Sequence, residues 1–251
     1  MASFESDAKL SIVIPVYNEE RTLELLLEKV HAVPLPVRRE IIIVDDGSTD
    51  DSGTIAERWA ARHRDDDIRL LRRSNGGKGA AVRDGIAVST GDVVIIQDAD
   101  LEYDPGDIAG CIAPILEGRC AVVYGSRERE RHNMCSSWRF YAGGLAVTWW
   151  IDCLYWVYLT DEPTCYKTFR GDLIRALDFE NDDFGWEPEV TCKLLRLGWK
   201  ILEVPISYRP RHVAEGKKIR CRDGLRALQI ALEWRFRSIK KWRKLKFRQT
   251  K

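Results

Sequence analysis

The chain has 251 residues, of which 45% are hydrophobic and 31% charged, with a formal net charge of +1. That length holds one large domain with a buried core, and that composition excludes a disordered, fibrous or membrane-embedded chain. Seven cysteines, at 111, 120, 135, 153, 165, 192 and 221, include no Cys-x-x-Cys pair; this argues against a disulfide framework or zinc site and reads as reduced thiols of a cytosolic protein.

Residues 10–16 (LSIVIPV) form a short apolar run that predicts a strand, and Leu23, Leu26, Leu27 and Val30 then recur at helical spacing until Pro34 and Pro36 break the helix. Residues 40–44 (EIIIV) predict a second strand, 45–50 (DDGSTD) a turn rich in N-cap residues, and 51–63 a helix. A third strand over 68–71, a glycine loop at Gly76-Gly77-Lys78-Gly79, a helix over 80–88 and a fourth strand over 92–97 follow. Strands alternating with helices predict an α/β fold with a largely parallel sheet flanked by helices. In such sheets ligands bind beyond the carboxyl ends of the strands, and four polar loops fall there: Tyr17-Asn18-Glu19, 45–48, 74–79 and Gln97-Asp98-Ala99-Asp100.

The last of these loops bears the most chemistry. Asp98 and Asp100 follow the apolar run Val93-Val94-Ile95-Ile96. Paired carboxylates where a buried strand runs out can hold a hard cation such as Mg²⁺, which accepts one or two carboxylates and fills its remaining positions with phosphate oxygens and water. Taken alone, Asp-x-Asp is more often a solvated acidic turn, and the glycine loop a tight turn into a helix, since it lacks the Walker spacing. Lys78 in that loop is well placed to meet a phosphate or a base.

Beyond Asp104-Pro105, which opens a helix, a fifth strand is predicted over 121–124 and ends at Gly125-Ser126-Arg127. Residues 128–137 are polar and without periodicity, as expected of a loop or flap. The aromatic stretch 138–160, with Trp149, Trp150, Tyr155, Trp156 and Tyr158, is either a buried helix or an amphipathic one that meets lipid; no apolar run reaches the ~18 residues of a membrane span. Residues 1–9 lack the pattern of a signal peptide. Residues 233–251 carry nine Lys/Arg against one Glu, +8, leaving 31 Lys/Arg against 38 Asp/Glu, −7, for the rest. Trp234, Phe236, Ile239, Trp242, Leu245 and Phe247 interleave with those cations, as in a segment lying on an anionic membrane; a solvated helix or an RNA-binding arm are the alternatives.

PVYNEE at 15–20, VDDGSTDDS at 44–52, NGGKGAAVRDG at 75–85, QDADLEYDP at 97–105 and GSR at 125–127 resemble, in order and spacing, the signatures of family-2 glycosyltransferases with the GT-A fold. TDEPTCYKTFR at 160–170, GWEPEV at 185–190 and EVPISYRPRHVAEGKKI at 203–219 resemble the polyprenol-phosphate subgroup, which includes the dolichol-phosphate mannose and glucose synthases. The resemblance implies inverting, metal-dependent transfer of a hexose from a UDP- or GDP-linked sugar to a dolichyl or undecaprenyl phosphate, by a peripheral protein on the cytoplasmic face of a membrane. It covers residues from about 10 to 232 and implies a donor-binding half at about 10–125 and an acceptor half at about 126–232; the basic amphipathic tail expected as a C-terminal helix at 233–251 lies beyond it.

Residue by residue, the resemblance assigns Mg²⁺ or Mn²⁺ to Asp98, Asp100 and Glu102, and the nucleotide to Pro15, Tyr17, Glu19, Asp46, Lys78, Gln97 and Asp98. It assigns the acceptor phosphate to Arg127, Arg139, Arg211 and Lys218, because an ionised phosphate needs cations and a guanidinium grips two oxygens at once. Gly143 falls where a relative has a phosphate-binding Ser, and Glu187 where a relative has Lys. Glu187 or Glu189 would instead act as general base toward a hydroxyl acceptor, or both are first-turn acids beside Pro188. A receiver domain is excluded by the strand–helix unit before Asp45-Asp46 and by motifs beyond its length, and a pyrophosphorylase by the absence of its glycine-rich Arg loop at the first strand. A non-catalytic nucleotide-sugar-binding protein remains the non-enzyme alternative, and under either reading no nucleic-acid partner is expected.

Overall fold

The computed structural model describes residues 7–130, 133, 138–211 and 221–246. Four strands and three helices alternate first: β1 (Lys9–Val16), α1 (Leu23–Ala32), β2 (Arg38–Asp45), α2 (Ser52–Arg62), β3 (Ile68–Arg72), α3 (Lys78–Val88) and β4 (Val93–Ile96). Then come α4 (Ile108–Leu116), β5 (Val122–Ser126), α5 (Trp138–Tyr155), β6 (Lys167–Arg170), α6 (Gly171–Leu177), α7 (Trp186–Arg196), β7 (Leu202–Pro205) and α8 (Cys221–Phe236). One seven-stranded sheet has the order β3-β2-β1-β4-β6-β5-β7. All pairings are parallel except those of β6, which runs antiparallel between β4 and β5. This is the α/β, mostly parallel architecture expected from the sequence.

Because side chains alternate across a strand, the sheet divides its apolar residues between two cores. Leu10, Ile12 and Ile14 of β1 join Leu23, Leu26 and Leu27 of α1, Trp59 of α2 and Ile108 and Ile112 of α4 on one face. Val13 of the same strand joins Ala81 and Val82 of α3, Ile151 of α5, Trp186 and Val190 of α7 and Ile230 and Trp234 of α8 on the other. Close approach of α3 to the sheet needs its small residues: a Cβ on Gly85 would overlap the side chain of Val13.

The register positions the site. Val16 lies opposite Asp45, and Val13 opposite Ile96, so the loops after β1, β2 and β4 leave the sheet along one edge. The glycine loop closes on the same edge; Gly77 has φ +99°, and a Cβ there would stand 2.5 Å from the Asp182 carbonyl oxygen, a conformation and a space open to glycine alone.

Three expectations change. The two four-residue strands β6 and β7 were not anticipated, being too short to show periodicity. The aromatic stretch resolves into α5, amphipathic rather than buried: Val147, Thr148 and Ile151 face inward, while Trp138, Leu145 and Trp149 are exposed. The tail is not one continuous amphipathic helix. α8 ends at Phe236, a 3₁₀ turn covers Lys240–Leu245, and Trp234 and Trp242 are buried in the core, packed edge to face with the Lys193 ammonium beside both rings. Those two indoles serve the fold and not a lipid surface. Phe247 and residues 248–251 lie outside the described residues, as do 131–132 and 134–137 of the polar loop. Among the described residues no helix is long and apolar enough to cross a membrane, and Cys111, Cys120, Cys153, Cys165 and Cys192 are free.

Candidate active site

Two strand-end loops carry backbone strain. Asn18 and Leu101 have φ of +51° and +62°, a left-handed conformation that non-glycine residues adopt at some cost and that clusters at functional sites. The two lie in the loop after β1 and immediately after Asp100, and Thr22 at the start of α1 donates to the Ala99 carbonyl at 2.8 Å.

Five carboxylates converge here: Glu19, Asp98, Asp100, Glu102 and Glu187. Two cations answer them. Lys78 reaches Asp98 at 2.9 Å and Glu187 at 3.2 Å. Arg211 reaches Glu19 at 2.9 Å, Asp100 at 2.8 Å and Glu102 at 3.6 Å, and its backbone N–H donates to Glu102 at 3.0 Å. Burial opposes the charge on Lys78, but Asp98, the Cys165 sulfur and Glu187 outweigh it and raise its pKa well above the ordinary lysine value. Asp100 shows the deficit of positive charge most clearly. Burial, then the negative charges of Asp98 and Glu102, push its pKa up to about 7, against the pull of Arg211.

That deficit is the test for a divalent cation. Among the described residues no three His, Cys, Asp or Glu side chains form a ready-made metal cage. Mg²⁺ or Mn²⁺ does not need one, since it takes one or two carboxylates and completes its shell with phosphate and water, and the pair Asp98 and Asp100 in an under-neutralised cluster fits that demand. Glu102 fits less well than the sequence suggested: one oxygen accepts from the Tyr208 hydroxyl at 2.6 Å and the other from the Arg211 N–H, so it anchors residues 208–211 beneath the cluster.

Several assigned donor residues are tied down. Gln97 is fully buried, accepts from the Tyr166 hydroxyl at 2.8 Å and donates to the Asp98 carbonyl at 3.2 Å; it shapes the turn and has no face toward a nucleotide. Asp46 accepts from the Gly76 and Gly77 N–H groups at 3.0 and 2.8 Å and from Arg73 at 2.5 Å, so it holds the glycine loop. Pro15 is half-buried in β1, and Tyr17 is exposed at the rim. Glu189 is removed from the candidates for general base. It is fully buried, accepts from the Glu180 and Asn181 N–H groups at 3.0 and 2.9 Å, and pairs with Lys193 at 2.7 Å. Glu187, two residues earlier on α7 and so on another face of the helix, is the one that meets Lys78.

The acceptor-side cations are only partly assembled. Arg127 forms a two-pronged pair with Asp161 at 2.7 and 2.6 Å and stacks over Tyr208 at 5.1 Å; burial opposes its charge, but Asp161 raises its pKa well above the ordinary value. Through Tyr208 it is linked to Glu102, and so to Arg211 and Asp100. Arg139 stands on the exposed first turn of α5 against Trp138, and Lys218 lies outside the described residues. Asp161, Tyr208 and Arg73 were not singled out from the sequence. Asp161 and Tyr208 lie inside the quoted motifs, but their roles depend on partners far along the chain.

Residues 11–152 match the family model described as Glycosyl transferase family 2. The undecaprenyl-phosphate 4-deoxy-4-formamido-L-arabinose transferase of Proteus mirabilis is 39% identical over 135 residues, 53% of this chain and 41% of the relative. The undecaprenyl-phosphate mannosyltransferase of Micrococcus luteus is 30% identical over 226 residues, 82% of this chain and 85% of the relative. The chain thus spans well under two thirds of the first relative and most of the second. Among solved structures, glucosyl-3-phosphoglycerate synthase from Mycobacterium tuberculosis in complex with uridine diphosphate superposes with a TM-score of 0.69 at 22% identity, covering 91% of this chain and 80% of that one. Its complex with Mn²⁺, uridine diphosphate and phosphoglyceric acid gives 0.67 at 22% identity, covering 91% and 78%. At these identities the likeness shows the fold alone, the GT-A fold.

Proposed function

The chain belongs to glycosyl transferase family 2, and we propose that it transfers a hexose, with inversion, from a nucleoside diphosphate sugar to a polyprenyl phosphate at the cytoplasmic face of a membrane. The observation that carries the acceptor is the similarity to a mannosyltransferase named for undecaprenyl phosphate, which runs through both halves of the chain. The division into a donor half at about 10–125 and an acceptor half at about 126–232 is part of the same reading.

Asp98 and Asp100 would hold Mg²⁺ or Mn²⁺ against the donor diphosphate, where the cation supplies Lewis-acid stabilisation of the leaving nucleoside diphosphate. Lys78 pairs with Asp98 and aligns it, and the glycine loop, held by Asp46 through the Gly76 and Gly77 N–H groups, sets the position of Lys78. Arg211, from the acceptor half, pairs with the donor-half carboxylates Glu19 and Asp100, so it is the residue through which the acceptor side lends charge to the donor side. Arg127, set by Asp161, offers a fixed guanidinium for a phosphate. An ionised phosphate oxygen needs no base to attack, which agrees with Glu187 being engaged by Lys78 and Glu189 being taken up by the backbone. Pro15 and Tyr17 would border the nucleobase, and Glu19 would meet it if Arg211 shifted its grip.

The test is a panel of UDP- and GDP-linked sugars with Mg²⁺ or Mn²⁺, with and without detergent-dispersed polyprenyl phosphate, read as lipid-linked sugar. Product that needs the lipid phosphate and disappears with chelator is the expected result. Transfer only to soluble hydroxyl acceptors overturns the acceptor and returns Glu187 to the role of base; no turnover of any donor leaves a nucleotide-sugar-binding protein.

A further inference from the structure

Between β5, β6 and α7 lies a buried ion pair that is only half made. Glu162 and Lys167 are both fully buried, yet the Lys167 ammonium stands 3.8 Å from Glu162 Oε1, beyond hydrogen-bond reach. It donates instead to the Glu162 carbonyl at 2.7 Å and lies over the Tyr124 ring at 3.7 Å. Glu162 Oε1 accepts from the Thr191 hydroxyl at 2.7 Å. Its other carboxylate oxygen, Oε2, has no hydrogen-bond partner among the described residues, although a carboxylate can accept about four hydrogen bonds. Burial raises the Glu162 pKa above the ordinary carboxylate value, against the pull of Lys167 and Thr191, and the charges of Glu187 and Asp161 add to the rise.

Stability does not account for such a pair, because uncharged side chains of the same volume often match or exceed a buried ion pair whose hydrogen bonding is incomplete. Its neighbours do. Asp161, which grips Arg127 at 2.7 and 2.6 Å, immediately precedes Glu162. Glu203 of β7 fixes the backbone of that turn, accepting from the Thr160 and Asp161 N–H groups at 2.8 and 3.0 Å, and Glu162 ties the same turn to α7. The Thr191 hydroxyl has one proton for two acceptors, Glu162 Oε1 at 2.7 Å and the Glu187 carbonyl at 3.0 Å; the Tyr124 hydroxyl, 2.8 Å away, then donates to it. Glu187 in turn meets Lys78 at 3.2 Å. One buried carboxylate thus stands one residue from the partner of Arg127 and one hydroxyl from the residue that meets Lys78.

We propose that Glu162, with Lys167 and Thr191, is a positioning residue of the site: it holds Asp161 and Glu187 in register with each other, so that Arg127 on the acceptor side and Lys78 on the donor side keep a fixed separation. The roles of those two cations toward substrates rest on the function proposed above; the coupling between their anchors does not. Buried polar groups that join several elements fix one arrangement where apolar packing would accept several, and two substrates that must meet need one arrangement.

The full chain is compared with Glu162→Gln/Lys167→Met, Thr191→Val and Thr191→Ser by melting temperature, by titration of UDP and GDP in Mn²⁺, and by KM for the acceptor that wild type uses. Glu162 and Lys167 are exchanged together because removing one leaves the other buried and unpaired. In that variant the melting temperature should hold or rise, while the nucleotide Kd and the acceptor KM both rise by about fivefold. Thr191→Val, which removes the hydroxyl and keeps the shape, should raise the same two constants, and Thr191→Ser should return both toward wild type. Unchanged constants, or a rise in one alone, overturn the proposal. So does a loss in Thr191→Ser as large as in Thr191→Val, with melting temperatures falling in step, since packing and not the hydroxyl then sets the site. Should the paired variant fail to fold, the two Thr191 variants decide alone. Wild-type transfer only to a hydroxyl overturns the lipid phosphate acceptor, and KM is then measured for that hydroxyl; absence of any wild-type turnover overturns the enzyme, and nucleotide affinity across the variants then decides the coupling.

Discussion

At the amino ends of the strands, Glu40 is wrapped in donors; at their carboxyl ends, Asp100 is crowded by acceptors. Glu40 is fully buried, yet Ser11 and the Thr90 N–H donate to it at 2.5 and 2.6 Å, the Gly91 N–H at 3.2 Å and Lys9 at 3.0 Å. Burial alone would raise its pKa; the hydrogen bonds from Ser11, Thr90 and Lys9 win and lower it to about 2. Asp100, with Asp98 and Glu102 as neighbours, moves the opposite way, to about 7. The same side-chain chemistry at two ends of one sheet is saturated in one place and under-neutralised in the other. A saturated carboxylate stabilises a fold, and an under-neutralised one waits for a cation.

The comparison is tested hardest at Asp100. Asp100→Asn should cut transfer by about 10²–10³-fold, the usual cost of one preorganised electrostatic group, while its melting temperature holds or rises because a repulsive charge is gone. Turnover and thermal melts on the same preparation check both halves; a large loss of stability would place Asp100 with Glu40 instead.

Glu40→Ala should do the reverse, losing about 3 kcal/mol of stability because Lys9 and several N–H and O–H donors lose a buried charged acceptor, with donor affinity unchanged. Its pH dependence carries a definite sign. The folded pKa of Glu40 lies below the ordinary 4.5, so its stabilisation is complete above about pH 4.5 and is lost as pH falls toward 2. Denaturant titrations from pH 6 to pH 3 should therefore show a shallower fall for Glu40→Ala than for wild type.

Two acids on α7 sharpen the same contrast at shorter range. Glu189→Ala should cost about 2–3 kcal/mol, since Lys193 and the N–H groups of 180 and 181 are left unpaired, whereas Glu187→Gln should change stability by less than about 1 kcal/mol and appear in kinetics through Lys78. Chemical denaturation beside steady-state rates separates them. The smallest effect is expected at Arg127→Lys, which keeps the charge but not the two-pronged grip of Asp161: KM for the lipid phosphate should rise by about tenfold, or ~1.4 kcal/mol, with KM for the donor unchanged.

The alternating first half of the fold was legible because each strand and helix there buries a regular apolar pattern, from residues 10–16 of β1 to Val93–Ile96 of β4. β6 and β7 were not: four residues give no readable period, and the insertion of β6 between β4 and β5 depends on distant pairing. The tail misled for a related reason. Basic residues mixed with Trp234 and Trp242 look the same in sequence whether the indoles meet lipid or Lys193 and the core. The exposed stripe of α5 lay within a stretch that composition left open between a buried and an amphipathic helix.

By itself the sequence determined the α/β class, the edge of the sheet that carries the polar loops, and the position of Asp98 and Asp100 just past β4, because all three follow from local periodicity and from residue types within a few positions of one another. Tertiary structure alone decided which polar groups are already satisfied. Arg211 meets Glu19 across 192 residues, and Lys78 meets Glu187 across 109; no local pattern encodes such contacts. Since the electrostatic character of a buried carboxylate is set by the sum of donors and charges around it, the difference between Asp46 or Glu189, held by backbone N–H groups, and Asp100, left short of positive charge, exists only once the chain has folded.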